Sequence, residues 1–539
     1  LVGLPENKLP VTNIEYYEKS KIPFKSGHEP LVGVNWTNIQ KLKNLYTGTI
    51  RISPLSIDNH YFKKVRVTID FKLSIENNRA PNNSEVSFLK DRLINWDIAK
   101  NWFLKPNRTN HKAADYPQGT WYQFFTEKDA LYSLSYETLS NTIADLSNID
   151  PRSISIFLSS DLGRSRTQNF NQTILDNFLE IPLYIDGEED GIFNSEDKII
   201  FYGRGPSGFD NQNTLVWNQN LYFNSNSCML FIPNDNQSRG KRVSKASQPE
   251  SGVLIDYGIV SNHIELDLIN LSSSGIEWLD SPISYGTAKP IIMQMNNPKF
   301  GTSFNISAKF KGHSADNNSI AMHQIKILHN NLNGNQIGQV ENWSGNTFRT
   351  IFANNQDLQL IDGVNIFYLL NSASDQNSLP YLDYFQIEYA KKLNFAENFT
   401  FTSPIEDQNI RFDFGGQNPD HVLLWDISNP INILDLEIDE SGLCNVQNQV
   451  DKPSRFIIFN KNEISDISSI SIKENQNFNQ LRNINIQANY VIIGPERFRE
   501  ASLELLEITN PSIYASIETI YDEFSAGNSD PMAIRSFIQ

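Results

Sequence analysis

The sequence predicts a mainly β, multi-domain chain that ends in the incomplete opening of an α/β domain. Three observations carry this. Short segments alternating apolar and polar residues recur to about residue 480, separated by Asn, Gly, Ser and Asp. That is the period-two signal of half-buried strands with turn chemistry between them. At residue 487 the pattern becomes a continuous apolar strand followed by helical segments, which suits a sheet covered on both faces. Finally, 539 residues are too many for one core and amount to about three to four domains on size alone.

Taken in order, residues 1–110 form an N-terminal β domain. Val65, Val67, Ile69 and Phe71 alternate with polar residues in "YFKKVRVTIDFKLSI". The polar stretch "KPNRTNHKAADYPQG" (105–119) reads as a linker. Residues 115–240 form a mixed β domain that opens at "TWYQFF", with a helix after Ser135 and strands such as "SISIFLSS" and "LYFNSNSCMLFIP". "NDNQSRGKRVSKASQPESG" reads as a second linker. Residues 250–395 give strand after strand, including "SFNISAKFKGH" and "YLDYFQIEYAKKL", the pattern of a β-sandwich. Residues 396–480 add a small β domain. From 487 to 539, "ANYVIIG" is a strand, "PERFREASLELLEI" a helix and "YASIETIYDEF" a second strand. Asp530 then caps a helix that starts at Pro531. Two strands and two helices cannot cover Ile492, Ile493, Ile534 and Phe537, so this piece is expected to fray unless a partner covers it.

Composition excludes some functions. Apolar content of 39% supports ordinary cores and rules out a disordered chain. A net charge of −17 argues against nucleic acid, whose phosphates demand a basic face. No stretch approaches the ~20 apolar residues of a membrane span. The sequence begins at Leu1 without a leader and reads as a mature or partial chain, from which a signal peptide would already be gone. Cys228 and Cys444 could pair in an oxidising compartment or remain lone buried thiols.

The segment "YIDGEEDGIFNSEDKIIFYG" (184–203) is the most tempting site. Counted from Asp186, carboxylates fall at positions 1, 3, 5 and 12, with Gly191 at 6 and Asn194 at 9. This spacing is close to a calcium loop, in which oxygens converge on a hard cation. The candidate metal ligands are Asp186, Glu188, Asp190, the Ile192 carbonyl, Asn194 and Asp197. Glu188 and Asp197 depart from the usual residues, and the flanks read as strands rather than helices. Two readings stay open, a structural calcium site and a solvated acidic hairpin. Other chemistry is weaker. A dyad of His313 and Cys444 would need a thiolate beside a base, but the two lie in different β regions. His323 and His329 share a strand face without further metal ligands in view.

Several segments together resemble the PorU-type sortase family of the type IX secretion system, relatives of the gingipain cysteine peptidases. They are "GTWYQFFTEKDALYSLSYETL" (119–139), "IDPRSISIF" (149–157), "DGIFNSEDKIIFYGRGP" (190–206), "LPYLDYFQIEYAKKL" (379–393), "HVLLWDISNP" (421–430) and the run from "NYVIIGPERFREAS" to "IYDEFSAGNSDPMAIRSFI". The resemblance implies that the terminal segment opens a gingipain- or caspase-like α/β peptidase domain. It implies a parent cysteine endopeptidase and transpeptidase, exported to the cell surface. That enzyme removes C-terminal sorting domains from secreted cargo and attaches the cargo to anionic lipopolysaccharide. It is held at the outer membrane by a β-barrel anchor of the PorV type. The catalytic His and Cys of the family match no residue of 1–539, so this chain alone is expected to be inactive. The alternative is a secreted β-sandwich adhesin or glycan-binding protein without peptidase activity, which sequence beyond residue 539 would distinguish.

Overall fold

The structure, a computed structural model, describes residues 1–20, 32–37, 39–55, 60–71, 78–105, 116–159, 161, 178–211, 215–235, 238–316, 319–334, 336–355, 358–404, 408–448, 454–474, 476–478, 480–482, 488, 490–509 and 511–538. Most of the expected first linker, residues 106–115, lies outside these. The chain divides into two compact units, Leu1–Asn110 and His111–Gln539. Among the described residues no helix is long and apolar enough to cross a membrane.

In the first unit, β1 (Val11–Lys19) pairs antiparallel with β2 (Phe62–Asp70). The alternation read from the sequence appears as a ribbon with one half-buried face. Helix α1 (Asn83–Leu89) starts in a capping box. Asn82 Oδ1 accepts the Glu85 N–H, and the Glu85 carboxylate accepts the Asn82 N–H. Arg79 donates to the same carboxylate. The helix buries Leu89 against Leu45, Trp102 and Phe103.

The second unit opens with β3 (Gly119–Thr126) and β4 (Ala130–Ser135), followed by the short helix α2 (Tyr136–Ser140). Next come β5 (Ser155–Leu158), β6 (Tyr184–Asp186), β7 (Lys198–Gly203), the hairpin β8 (Gly208–Asn211) and β9 (Leu215–Asn218), and β10 (Asn226–Pro233). β10 is buried along its whole length and lies between β3 and β5. Trp121 on β3 is buried in an aromatic cluster, with ring centroids 4.6 Å from Phe231 and 5.2 Å from Phe478. Each such ring contributes about 1.5–3 kcal/mol by leaving water.

A β-sandwich follows. Its strands are β11 (Tyr257–Glu265), β12 (Ala288–Met295), β13 (Phe304–Lys311), β14 (Met322–His329), β15 (Gln336–Ser344), β16 (Phe348–Asn355), β17 (Gly363–Asn371) and β18 (Tyr381–Lys392). One sheet has the order β12-β17-β14-β15. The other ends in β11-β18-β13-β16 and continues on the far side of β11 through Phe399–Thr402, Arg455–Asn460, Val422–Asp426, Leu434–Leu436 and Ser244–Lys245. Residues 250–395 and 396–480 therefore share one sheet, and the segment read as a second linker supplies its last strand. Phe304, Ile306, Phe310, Phe367, Phe385 and Ile387 fill the space between the sheets. Phe401, Phe412 and Phe456 build a second core beyond β11.

The chain then returns to the start of the second unit. Strand β19 (Ser471–Ile472) pairs with β3. β20 (Tyr490–Gly494) and β21 (Ser512–Ser516) are parallel neighbours, connected through α3 (Leu503–Ile508) and followed by α4 (Ile517–Ser525) and α5 (Pro531–Ile538). This is the strand–helix–strand–helix series expected after 487, with one correction. "YASIETIYDEF" is not a single strand, because the chain turns helical at Ile517. Ser516 Oγ accepts the Thr519 N–H as a cap, and Ile520 and Phe524 then face Ala515 and Ala533. The β-branched residues that suggested a strand are outweighed by this cap and the amphipathic spacing.

Candidate functional site

The acidic hairpin forms between β6 and β7, with Asp186 opposite Lys198. Gly187 and Gly191 sit at φ +95° and +78°, flanking a single 3-10 turn over Glu188–Asp190. A side chain at Gly187 would meet the Asp197 carboxylate as well as the left-handed strain. Of the six candidate ligands, Asp186 gives both oxygens to Lys461 Nζ, each at 2.9 Å. Burial opposes the Lys461 charge, but Asp186, Tyr184 and Glu189 hold its pKa above the usual value. Glu188 Oε2 receives Arg242 Nε at 2.8 Å. Asp190 accepts the Ile192 N–H, and the Ile192 side chain is exposed. Asn194 Oδ1 accepts the Glu196 N–H, while its own N–H goes to Asp197 Oδ2 at 2.7 Å.

Asp197 is buried, and burial pushes its carboxyl above the usual range, helped by Asp190 and Asp186 against the Asn194 N–H. Among the described residues no three His, Cys, Asp or Glu side chains gather as a metal site. As arranged, the donors do not fit a calcium sphere, since two of the carboxylates are already matched by Lys461 and Arg242. Sequence reasoning missed both cations. Lys461 is 275 positions from Asp186, and no local pattern signals such a partner.

The two cysteines are free and buried. Cys228 lies in the core built on β10 and Cys444 in the core beyond β11. Burial pushes each thiol up to about 12. Cys444 Sγ has Gln248 Nε2 at 3.4 Å and the Asn445 carbonyl at 3.8 Å. The His313 ring instead packs on Tyr381. Neither thiol is a thiolate at neutral pH, and a thiolate is the form that attacks. His323 and His329 are both buried and hydrogen-bonded, His323 to Ser378 and the Gly345 carbonyl, His329 to Asn365. Burial holds both below the ordinary histidine pKa. They are satisfied core residues.

The terminal α/β unit is fastened to the β region rather than frayed. The Glu523 carboxylate accepts the N–H groups of Gln480, Leu481 and Arg482 at 2.7–3.1 Å. Burial pushes Glu523 up, opposed by those three donors and Arg482. Asp522 pairs with Lys473 at 2.7 Å. The α4–α5 turn passes so close to β3 and β10 that a Cβ at Gly527 would lie 2.7 Å from Gln123 Nε2 and Ser227 Oγ. Asn528 Oδ1 accepts the Ser227 N–H at 2.7 Å, and its Nδ2 lies 3.5 Å from Ser159 Oγ. The β5–β10 ladder has its last pair at Phe157–Met229, so the Asn528 amide takes the place of the next rung. Asp530 Oδ1 accepts the Met532 N–H at the start of α5. "GNSDP" reads as a turn in sequence, and nothing local shows that its Asn is an anchor.

Fold and terminal unit together define a multi-domain β protein carrying the opening of a peptidase-type α/β domain. Residues 484–539 match Peptidase family C25. The fold is similar to that of dimeric latent PorU from Porphyromonas gingivalis, with a TM-score of 0.64 at 14% identity, over 78% of this chain and 39% of that one. The chain thus spans well under half the length of that protein. The CBM22-1 xylan-binding domain of Paenibacillus barcinonensis Xyn10C aligns at 12% identity with a TM-score of 0.17, over 26% of this chain and 90% of the domain. A cycloalternan-forming enzyme from Listeria monocytogenes aligns at 10% identity and a TM-score of 0.19, over 70% and 29%. Scores that low establish no common fold. No curated protein matches the chain.

Proposed function

We propose that the chain is the non-catalytic β region, with the first strands and helices of the peptidase domain, of a type IX secretion sortase. In this reading the parent protein is a gingipain-like cysteine endopeptidase and transpeptidase. It removes C-terminal sorting domains from secreted cargo, attaches the cargo to surface lipopolysaccharide, and is held at the cell surface by a β-barrel of the PorV type. The observation that carries the reading is a coincidence of position. The parallel β20–β21 pair and its helices occupy the residues that match Peptidase family C25, at the end of a chain with a PorU-like fold.

The β units then serve as a platform. Asn528 binds Ser227 on β10, Asp522 pairs with Lys473 just after β19, and Glu523 holds the segment 480–482, contacts that fix the first peptidase helices and so orient the rest of that domain. The chain alone is expected to cleave nothing, because acyl transfer needs a thiolate and a base and both of its thiols are buried. The test is to incubate residues 1–539, and separately the parent protein, with a fusion carrying a cargo sorting domain. Cleavage by the parent only is the expected result. Cleavage by 1–539 that disappears on alkylation of Cys444 would overturn the reading.

A further inference from the structure

The outer face of the β11-β18-β13-β16 sheet is unlike its inner one. Its cross-strand rows read Glu265, Tyr384, Lys309, Thr350; then His263, Gln386, Ser307, Phe352; then Ser261, Glu388, Asn305, Asn354. A bulge in β18 opposite Lys309 and Phe310 adds Asp383 to this face, where it pairs with Lys309 at 2.6 Å. Two walls rise from the sheet. The β8–β9 hairpin lays Trp217 flat on His263, with ring centroids 4.1 Å apart and 11° between planes. The segment 266–279 brings in Trp278, and Gln219 joins the walls through Asp267 at 2.9 Å. Between them runs a groove of ≈ 840 Å³, the size of a ligand site.

The groove's chemistry selects its occupant. Main-chain groups of β11, β18 and β13 are used by neighbours on both sides, so over these strands recognition runs through side chains, and only the edge strand β16 offers a ladder to an extended peptide. Lys309 is the cation among the lining residues, and Asp383 matches it, so an anionic ligand meets no free positive charge. Most of the carboxylates are also partnered: Glu265 with His263 at 2.9 Å, Glu277 with Lys311 at 3.2 Å, and Asp267 with Gln219. They act as fixed acceptors rather than as a trap for cations. Beside them, Phe352 is 71% exposed and Trp278 half-buried, leaving flat apolar faces. Rigid rings next to carboxylates and amides suit a ligand with apolar C–H faces and a rim of hydroxyl donors.

We infer that this groove binds a neutral oligosaccharide, stacking sugar rings on Phe352 and Trp278 and holding their hydroxyls through Gln386, Glu388 and Asn305. The inference rests on the groove alone and stands or falls apart from the sortase reading. The test uses the whole chain in isothermal titration with neutral hexasaccharides of glucose, mannose, xylose and N-acetylglucosamine, beside hexagalacturonate and a lysine-rich peptide. At least one neutral hexasaccharide should bind. Phe352→Ala and Trp278→Ala should each weaken it about tenfold or more, with unchanged melting temperatures. The inference is overturned if no neutral hexasaccharide binds at millimolar concentration, or if binding ignores both substitutions. Tighter binding of the anionic sugar or of the peptide also overturns it, as does self-association of the chain that Phe352→Ala abolishes.

Discussion

Replacing Asn528 by Ala tests the anchor between the terminal helices and the β region. The substitution removes the acceptor of the Ser227 N–H, and Ser227 is fully buried. No water reaches that donor, so the cost is that of an unsatisfied buried group, about 1–3 kcal/mol. The second contact, to Ser159 at 3.5 Å, is at the limit of a hydrogen bond and adds little. If the loss falls on local opening, the Ser227 amide should exchange with solvent about 5–150-fold faster, the ratio that corresponds to 1–3 kcal/mol. Hydrogen exchange read on a fragment spanning 226–233 checks this, with a fragment from β17 as internal control. Exchange unchanged at Ser227 would refute the claim that the Asn528 amide completes the ladder. Equal acceleration in both fragments would show global destabilisation instead, and would refute the local anchor.

Lys461→Met should leave Asp186 without its cation and cost about 1 kcal/mol, as for a partly exposed pair, read as a shift in urea midpoint. The same variant should bind calcium at the acidic hairpin while the parent chain does not, because lysine and metal compete for the same two oxygens. Titration of both after chelator treatment checks it, and strong heat from the parent chain would reinstate the calcium loop. Gly187→Ala combines a left-handed backbone with a clash on Asp197 and should cost about 2 kcal/mol or more, visible as a lowered melting temperature. For His323 and His329, folding lowers the pKa, so their stabilising contribution is present above the unfolded value near ~6.5 and is lost as pH falls through the folded values. Stability should drop below that point by up to about 1.4 kcal/mol per pH unit for each histidine. His329→Phe, which keeps the stacking on Phe367, should flatten the slope, and an unaltered slope would refute the assignment.

Strand period was legible in the sequence because it follows from one face of a sheet meeting the core. Val65, Val67 and Ile69 lie on β2, and Phe385 and Ile387 point inward from β18. The change of pattern at 487 was legible for the same reason. The end of "YASIETIYDEF" was not, because its β-branched residues satisfy both periods over so short a run, and only the Ser516 cap decides between them. The acidic hairpin shows the limit most plainly. Ligand spacing could be counted along the chain, but the partners that occupy those oxygens come from Lys461 and Arg242. The groove over β18 was invisible for a similar reason. Its residues come from five strands and two connecting segments, and each strand alone carries an ordinary polar face.

The return of the chain to the start of its second unit has a consequence for the order of folding. β19 pairs with β3, Gln476 accepts the Trp121 N–H across 355 positions, and Asp466 holds Ser133, Ser135 and Thr138. The sheet that opens the second unit is therefore among the last to be finished. Closing so long a loop is entropically slow, and until it closes one edge of β3 offers unpaired backbone groups to any passing strand. A chain emerging from its N-terminus, whether from a ribosome or through a membrane pore, can mature its β11–β18 sandwich well before this seam shuts. The interval between those events is when the protein is most open to aggregation and proteases. A nick near residue 465 would reopen it and draw Ile467 and Ile470 out of the core they share with Leu134 and Leu139.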